Sequence, residues 1–248
     1  MRSSSPPASS AASDGLAALA ARVARCRACP RLVAHRERVA RERVARFRDW
    51  TYWGRPVPGF GDPAARLLVV GLAPAAHGGN RTGRIFTGDE SGNWLYRALH
   101  TAGFANQPTS VARDDGLRLI DAYVTAIARC APPGNRPTPV EIARCRPFLV
   151  EEIERLAGLR VVVVLGRIAH DGFLAALAVR GEAVRPRPQF AHAAVHRLPN
   201  GLRLVCSYHP SQQNTFTGRL TRPMLDRVFR AARRALDTPS SGRSSRRS

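Results

Sequence analysis

Four short apolar runs alternate along the chain with longer segments in which apolar residues recur every three or four positions. The runs are Leu67 to Gly71, Ala122 to Ile127, Val161 to Leu165 and Leu202 to Cys206, each with the length and flanks of a buried strand. The third, VVVVL, is apolar and β-branched throughout, so both its faces should be covered, as in parallel sheets with helices on each side. SGNWLYRALHTAG begins at a Ser91 cap candidate, puts Trp94, Leu95, Ala98 and Leu99 on one face, and stops at Gly103. TPVEIARCRPFLVEEIERLAG starts with Thr138 before Pro139 and ends at Gly158, and CRACP sits near the end of a further helical segment. RPMLDRVFRAARRALD carries Met224, Leu225, Val228, Phe229, Ala232 and Leu236 as a helical stripe, read as ordinary core packing. Strand alternating with helix predicts the α/β class: a three-layer α/β/α domain around a short central four-stranded parallel sheet.

A chain of 248 residues can bury one sizeable core, and neither an internal repeat nor a second-domain linker is visible. The domain is expected over residues 15–237. The head 1–14 and the basic tail 238–248 are rich in Ser, Pro, Gly and Arg, and both read as disordered. No apolar run is long enough for a membrane span and the head lacks the apolar core of a secretory signal, which points to a reducing cytoplasm and away from membranes. The formal charge is +21, and a surface so basic attracts polyanions, so nucleic acid is the leading partner class. A solvated arginine face is the plainer reading of that charge. All 39 basic residues are arginine, and the chain has no lysine.

In a parallel sheet ligands bind at the carboxyl ends of the strands. The unusual residues follow the four runs: GLAPAAHGG, ARCAPPGNRP, GRIAH and SYHPSQQNTFTG. Four of the five cysteines also form a pattern. Cys26 and Cys29 are spaced so that both thiolates reach one centre, and Cys130 and Cys145 can complete a tetrahedral set. Disulfides are disfavoured by compartment, and thioredoxin-like chemistry by the position of CRACP outside a strand-to-helix turn. Spacing leaves zinc and an iron-sulfur cluster equally open. Cys206, inside RLVCS, reads as a small buried hydrophobe.

The stretch GLAPAAHGGNRTGRIFTGDESG, from Gly71 to Gly92, has the glycines of a phosphate loop without the lysine such a loop needs. HGG at His77 to Gly79 is like an oxyanion segment of α/β-hydrolases, but the G-x-S-x-G elbow is missing. What remains is a loop whose small residues let the backbone approach a flat ligand, with Phe86 available to stack, or simply to pack in the core, and Asp89 to position a water.

GLAPAAHGGNRTGRIFTGD, RCAPPGNRPTP and HPSQQNTFTGRLT, with the four cysteines, resemble the iron-sulfur uracil-DNA glycosylases, specifically the type B group, also called family 5. The likeness covers roughly Leu16 to Asp237. Type A relatives carry G-E-A-P-G where this chain reads Gly71-Leu72-Ala73-Pro74-Ala75, and an asparagine where it has Ala126. The resemblance therefore implies the broader base range of type B enzymes, hypoxanthine and etheno-cytosine included, rather than strict uracil selectivity. It also implies a structural [4Fe-4S] cluster on Cys26, Cys29, Cys130 and Cys145, with zinc the alternative left by spacing.

A glycosylase must extrude the nucleotide from the duplex before it can reach the bond. The resemblance implies Phe86 as stacking platform and a near wall of Leu72, Ala73, Ala75, Ala76 and His77. His209 of HPS would hydrogen-bond the departing base, and Asp89 would hold the water and face the sugar cation. Asn135 and Asn214 are candidates for base recognition or water placement, or for capping their own loops. Gln212 to Leu220 would enter the groove as a wedge, or remain a solvated loop, with Arg219 near a phosphate. Without lysine there is no amine for a Schiff base except the chain terminus, so a monofunctional, monomeric enzyme that leaves an intact abasic site is expected. A second enzyme reading is a type A (family 4) glycosylase strict for uracil, and the competing reading from another class is a nucleic-acid-binding protein with a four-cysteine metal site and no catalysis.

Overall fold

Every residue of Leu67–Gly71, Ala122–Ala126 and Val161–Leu165 is buried. Backbone hidden so completely must find its hydrogen bonds in a sheet covered on both faces. The computed structural model, which describes residues 8–238, has that sheet at its centre. In chain order the strands are β1 (Phe60–Gly61), β2 (Leu67–Gly71), β3 (Ala122–Ala126), β4 (Val161–Leu165), β5 (Val195–Arg197) and β6 (Arg203–Ser207). The helices are α1 (Ala8–Arg25), α2 (Pro30–Glu42), α3 (Gly79–Thr82), α4 (Glu90–Thr101), α5 (Pro139–Arg155), α6 (Arg167–Val179), α7 (Gln212–Phe216) and α8 (Arg222–Asp237).

The strands lie in the order β1-β3-β2-β4-β6-β5. The inner four run parallel, with Val69 level with Val124 on one side and Val163 on the other. These are the four strands expected from the sequence. The expectation needs correction at the edges, where β1 and β5 add antiparallel to β3 and β6 and make a sheet of six. With two and three residues, and none fully buried, neither edge strand is long or apolar enough to leave a periodic signal.

Two apolar layers cover the sheet. Leu95 and Leu99 of α4 and Leu225, Val228 and Phe229 of α8 pack on one face. Leu19 of α1, Ile153 of α5 and Phe173 and Leu177 of α6 pack on the other. The stripe expected on α8 is buried as read, with Met224 at its partly covered edge and Ala235 added to it. Helix α5 begins at the expected Thr138, whose hydroxyl accepts from Glu141 N at 3.3 Å while Glu141 Oε2 accepts from Thr138 N at 2.7 Å.

The expected disordered head is also corrected in part, because α1 starts at Ala8 and takes residues 8–14 of it. These residues extend a helix already tied down by buried Leu16, Leu19 and Val23. Residues 1–7 and 239–248, the remainder of the head and nearly all of the expected tail, lie outside the described residues. No described helix is long and apolar enough to cross a membrane.

Candidate active site

Four parallel strands deliver their carboxyl ends to one edge of the sheet, and the loops after β2 and β6 meet there. Phe86 and His209 make the junction, with ring centroids 5.7 Å apart and planes inclined by 33°. Phe86 is buried at 5 % exposure and holds a left-handed φ of +52°, unusual for a residue with a bulky side chain. Its ring lies over Gly71, where an added Cβ would come within 2.6 Å of two ring carbons. Its neighbours fix the backbone: Tyr96 Oη donates to Ile85 O at 2.8 Å, and Arg84 donates to Thr87 Oγ1 at 2.9 Å. Arg84 also pairs with Asp115 at 2.7 Å and donates to Ser110 Oγ at 2.9 Å, all of it buried.

Asp89 ends the same loop. It, not the expected Ser91, is the N-cap of α4, its Oδ1 accepting from Gly92 N at 2.9 Å. Ser91 lies inside the first turn. Asp89 Oδ2 lies against Gly78, where a Cβ would sit 1.9 Å away, so the carboxylate reaches back across the loop to the segment after β2. Burial pushes its carboxyl above the ordinary Asp value, opposed by the Gly92 and Ser91 N–H groups and by the Arg81 cation.

His209 follows β6. It is partly exposed but closely packed, and burial lowers its imidazole to about 4. The imidazole is therefore neutral near pH 7, able to donate one N–H without carrying a charge. Asn214 Nδ2 donates to His209 O at 2.8 Å, which gives that side chain a part in holding the loop.

The remaining candidates are placed as follows. Leu72, Ala73, Ala75, Ala76 and His77 are half-buried in one continuous loop, turned by Asn80 N donating to Ala75 O at 3.0 Å. His77 Nδ1 pairs with Tyr52 Oη at 3.0 Å, and burial together with Arg81 lowers its pKa. Asn135 is exposed at a φ of +57° in the loop after β3, and among the described residues its side chain has no hydrogen bond to Asp89, Phe86 or His209. Arg219 is exposed, its guanidinium 4.7 Å above the Tyr208 ring. Within the expected wedge, Gln212–Phe216 forms the short helix α7, capped by Ser211, with Phe216 at 78 % exposure.

Cys26, Cys29, Cys130 and Cys145 line one cavity, closed by Leu32, Val33, Pro56 and Phe148 and edged by Arg129 and Arg144. All are free thiols, and Cys206 is buried within β6 as expected. Burial raises the thiol of Cys29, that of Cys130 to about 12 and that of Cys145 to about 11. Thiols this reluctant to ionise need a cationic centre to hold them as thiolates. Among the described residues no trio of Cys, His, Asp or Glu is set to grip a single ion.

A profile of the uracil DNA glycosylase superfamily matches residues 58–233. A type-5 uracil-DNA glycosylase of Mycobacterium tuberculosis is 54% identical over 210 residues, covering 84% of this chain and 77% of that protein. One of Thermus thermophilus is 53% identical over 209 residues, covering 84% and 93%. The chain belongs to the type-5 group of the uracil DNA glycosylase superfamily. A type-4 uracil-DNA glycosylase of Archaeoglobus fulgidus is more distant, at 31% identity over 156 residues, 62% of this chain and 70% of that one.

In this type-5 member the sequence motifs pointed to the loops after β2 and β6, which meet in the fold, but not to the residues that hold them. Arg84, Asp115 and Tyr52 were not singled out, because a buried ion pair or hydroxyl contact between distant segments leaves no local pattern. Phe216 could have been noticed: it is an aromatic residue alone among polar neighbours in a segment already read as a wedge.

Proposed function

We propose that the chain excises uracil from DNA by hydrolysing the N-glycosidic bond, and that it also takes hypoxanthine and etheno-cytosine. The observation that carries this reading is the meeting of Phe86, His209 and the Asp89 loop at one strand edge, with a ring from each of two distant segments in contact. A flipped base would lie against Phe86, walled by Leu72, Ala73, Ala75, Ala76 and His77, and the small side chains of the three alanines would leave space for purines as well as pyrimidines. The absence of a carboxylate at Leu72 removes a group that could enforce one base over another.

Cleavage places negative charge on the base and positive charge on the sugar. Neutral His209 donates a hydrogen bond to the base as its charge grows. Asp89, with Oδ1 committed to its cap, keeps Oδ2 for a water or for the sugar cation. Asn135 serves base recognition or water placement, and Asn214 acts by fixing the His209 loop. Gln212 to Leu220 fills the gap left in the duplex, with exposed Phe216 as its tip and Arg219 on a phosphate. Having no lysine, the enzyme leaves an abasic site uncut. It acts as a monomer on DNA in the cytoplasm.

The four cysteines would hold a [4Fe-4S] cluster. The donor set fits it: four soft thiols around an apolar cavity. The cluster's contribution is structural, tying the α1–α2 turn to α5 and the loop after β3.

The test is incubation of the protein with a uracil-containing oligonucleotide, followed by alkali. Strand breaks only after alkali are expected, and breaks before alkali contradict the monofunctional reading. Release of hypoxanthine from a matched oligonucleotide separates broad from strict specificity. Brown colour and visible absorption, lost in Cys130→Ser, distinguish iron from zinc.

A further inference from the structure

The segment between α2 and β1 is fastened to the active-site loop more firmly than a solvated connection needs to be. Trp53 N donates to Arg81 O at 2.8 Å, Gly54 N to Asn80 O at 3.0 Å, and Tyr52 meets His77. Arg81 completes the attachment. Its guanidinium carbon lies 3.9 Å from the Phe47 ring centroid and 4.0 Å from that of Trp50, while Nε donates to His77 O and Nη2 to Gly88 O, both at 2.8 Å. A guanidinium between two rings gains cation–π attraction that partly offsets its burial. Residues 43–50 are thereby carried as an arm on the loop that bears His77 and Asp89.

The arm's outward face is chemically distinctive. Arg43, Arg46, Arg48 and Trp50 are exposed, the indole at 38 %, with Asp49 as the acid among them. Arg43 donates to Arg48 O at 2.5 Å, Arg46 lies 5.1 Å over Phe47, and Arg48 approaches Asp49 only to 3.8 Å with both side chains in solvent. None of these three arginines is tied up by a buried carboxylate. Packing against Arg81 accounts for half-buried Phe47, but Trp50, whose ring also meets Arg81, keeps 38 % of its surface exposed in a segment of exposed arginines.

Arginine neutralises phosphates, and an exposed indole stacks an unpaired base whatever its identity. We propose that Arg43–Trp50 is a second DNA-contacting site, separate from Gln212–Leu220, that grips the strand beside the extruded nucleotide. Arg46 and Arg48 contact phosphates and Trp50 stacks on an unstacked base. The proposal rests on the reading of the chain as an enzyme acting on DNA.

The experiment measures equilibrium binding of the full chain to an oligonucleotide with a tetrahydrofuran abasic analogue, between about 50 and 200 mM salt. The double variant Arg46→Ala, Arg48→Ala should reduce the slope of log affinity against log salt by roughly 1.8, about 0.9 for each lost phosphate contact. Arg197→Ala, at the opposite end of the sheet where β5 meets the start of β6, should leave the slope unchanged. DNA should quench tryptophan emission, and Trp50→Phe should lose most of that quenching, Trp53 and Trp94 serving as references. Melting curves check that the variants keep the fold. An unchanged slope in the double variant, or full quenching in Trp50→Phe, overturns the assignment of the arm. A parent chain that does not bind the oligonucleotide at all would instead overturn the functional reading beneath it.

Discussion

The ring of Phe86 leans over that of His209 at a centroid distance of 5.7 Å, although one residue follows β2 and the other β6. The contact depends on Gly71, the last residue of β2, which has no Cβ to hold the Phe86 ring away. It also depends on Phe86 holding a φ of +52°, a conformation that costs a residue with a Cβ about 1 kcal/mol and so needs support from its surroundings. The Arg84–Asp115 pair and the Tyr96 bond to Ile85 O supply that support.

Gly71→Ala should therefore disturb catalysis more than folding. The new methyl would lie 2.6 Å from two Phe86 ring carbons, and that ring, the end of a side chain, gives way more readily than the backbone of β2. A tenfold or greater fall in uracil release is expected, since about 1 Å of misplacement can cost on the order of a hundredfold. Single-turnover assays beside a melting curve check it, and an unchanged rate would separate the Phe86 position from catalysis.

Phe86→Ala removes the proposed stacking face itself. Loss of one aromatic–base stack costs about 1 to 3 kcal/mol, so affinity for DNA carrying an extruded base should fall roughly ten- to a hundredfold. Binding of undamaged duplex, which does not present a base to Phe86, should change far less. Titration with the two DNAs in parallel measures the difference.

His209 carries a pH signature in stability. Its folded pKa, about 4, lies below the value of about 6.5 expected in the unfolded chain, so the unfolded state binds the extra proton between those limits. Stability should rise as pH increases from about 4 to 6.5 and be lost in the reverse direction. The size is on the order of 2 kcal/mol once the partial exposure of the residue is allowed for. Denaturant midpoints across this range should show the slope in the parent and a flatter line in His209→Gln. The same variant should lose about a hundredfold or more in the rate of base release if its amide does not reach the departing base.

Glu152 tests the support beneath the cysteine cavity. Its carboxylate meets Arg129 at 2.5 Å with both side chains almost wholly buried, and Arg129 directly precedes Cys130. Glu152→Ala leaves a buried cation without its partner and should destabilise the protein by about 3 to 5 kcal/mol. Replacing both residues by apolar ones should recover much of that loss. Guanidinium unfolding of the single and double variants distinguishes the pair's net worth from the cost of breaking it.

The inner strands were legible because burial on both faces leaves an unbroken apolar run, as in Val161–Leu165. β1 and β5 were not, since edge strands of two or three residues borrow their geometry from β3 and β6. At the site, His209 and Asp89 stand in recognisable motifs, but their holders do not. Ser91 was read as the cap because it sits nearest the apolar stripe, whereas Asp89 wins the position by accepting from Gly92 N. Arg81 looks like one more surface arginine until Phe47 and Trp50 close on it from a distant segment. Asn214 could be read as a base-binding or loop-capping residue, and its bond to His209 O appears only once α7 has formed.

Substitution can separate the cap that Asp89 makes from the catalytic role proposed for it. Asn at this position keeps the cap on α4, because an amide oxygen accepts from Gly92 N as a carboxylate does, but it removes the charge. Asp89→Asn should lose activity while gaining stability near neutral pH. Burial raises the folded carboxyl above its unfolded value, so the folded state holds the proton more tightly and the parent loses stability as pH rises between the two. The melting temperatures of parent and Asp89→Asn should converge below the ordinary carboxylate range and separate above it. The acid limb of the parent's activity should lie above the usual Asp value for the same reason, because the proposed role requires the ionised form. Asp89→Ala loses the cap as well, costing about 1 kcal/mol of stability relative to Asn. If Asp89→Asn instead kept full activity with no acid limb, the carboxylate would be a helix cap alone and the water would have to be held elsewhere.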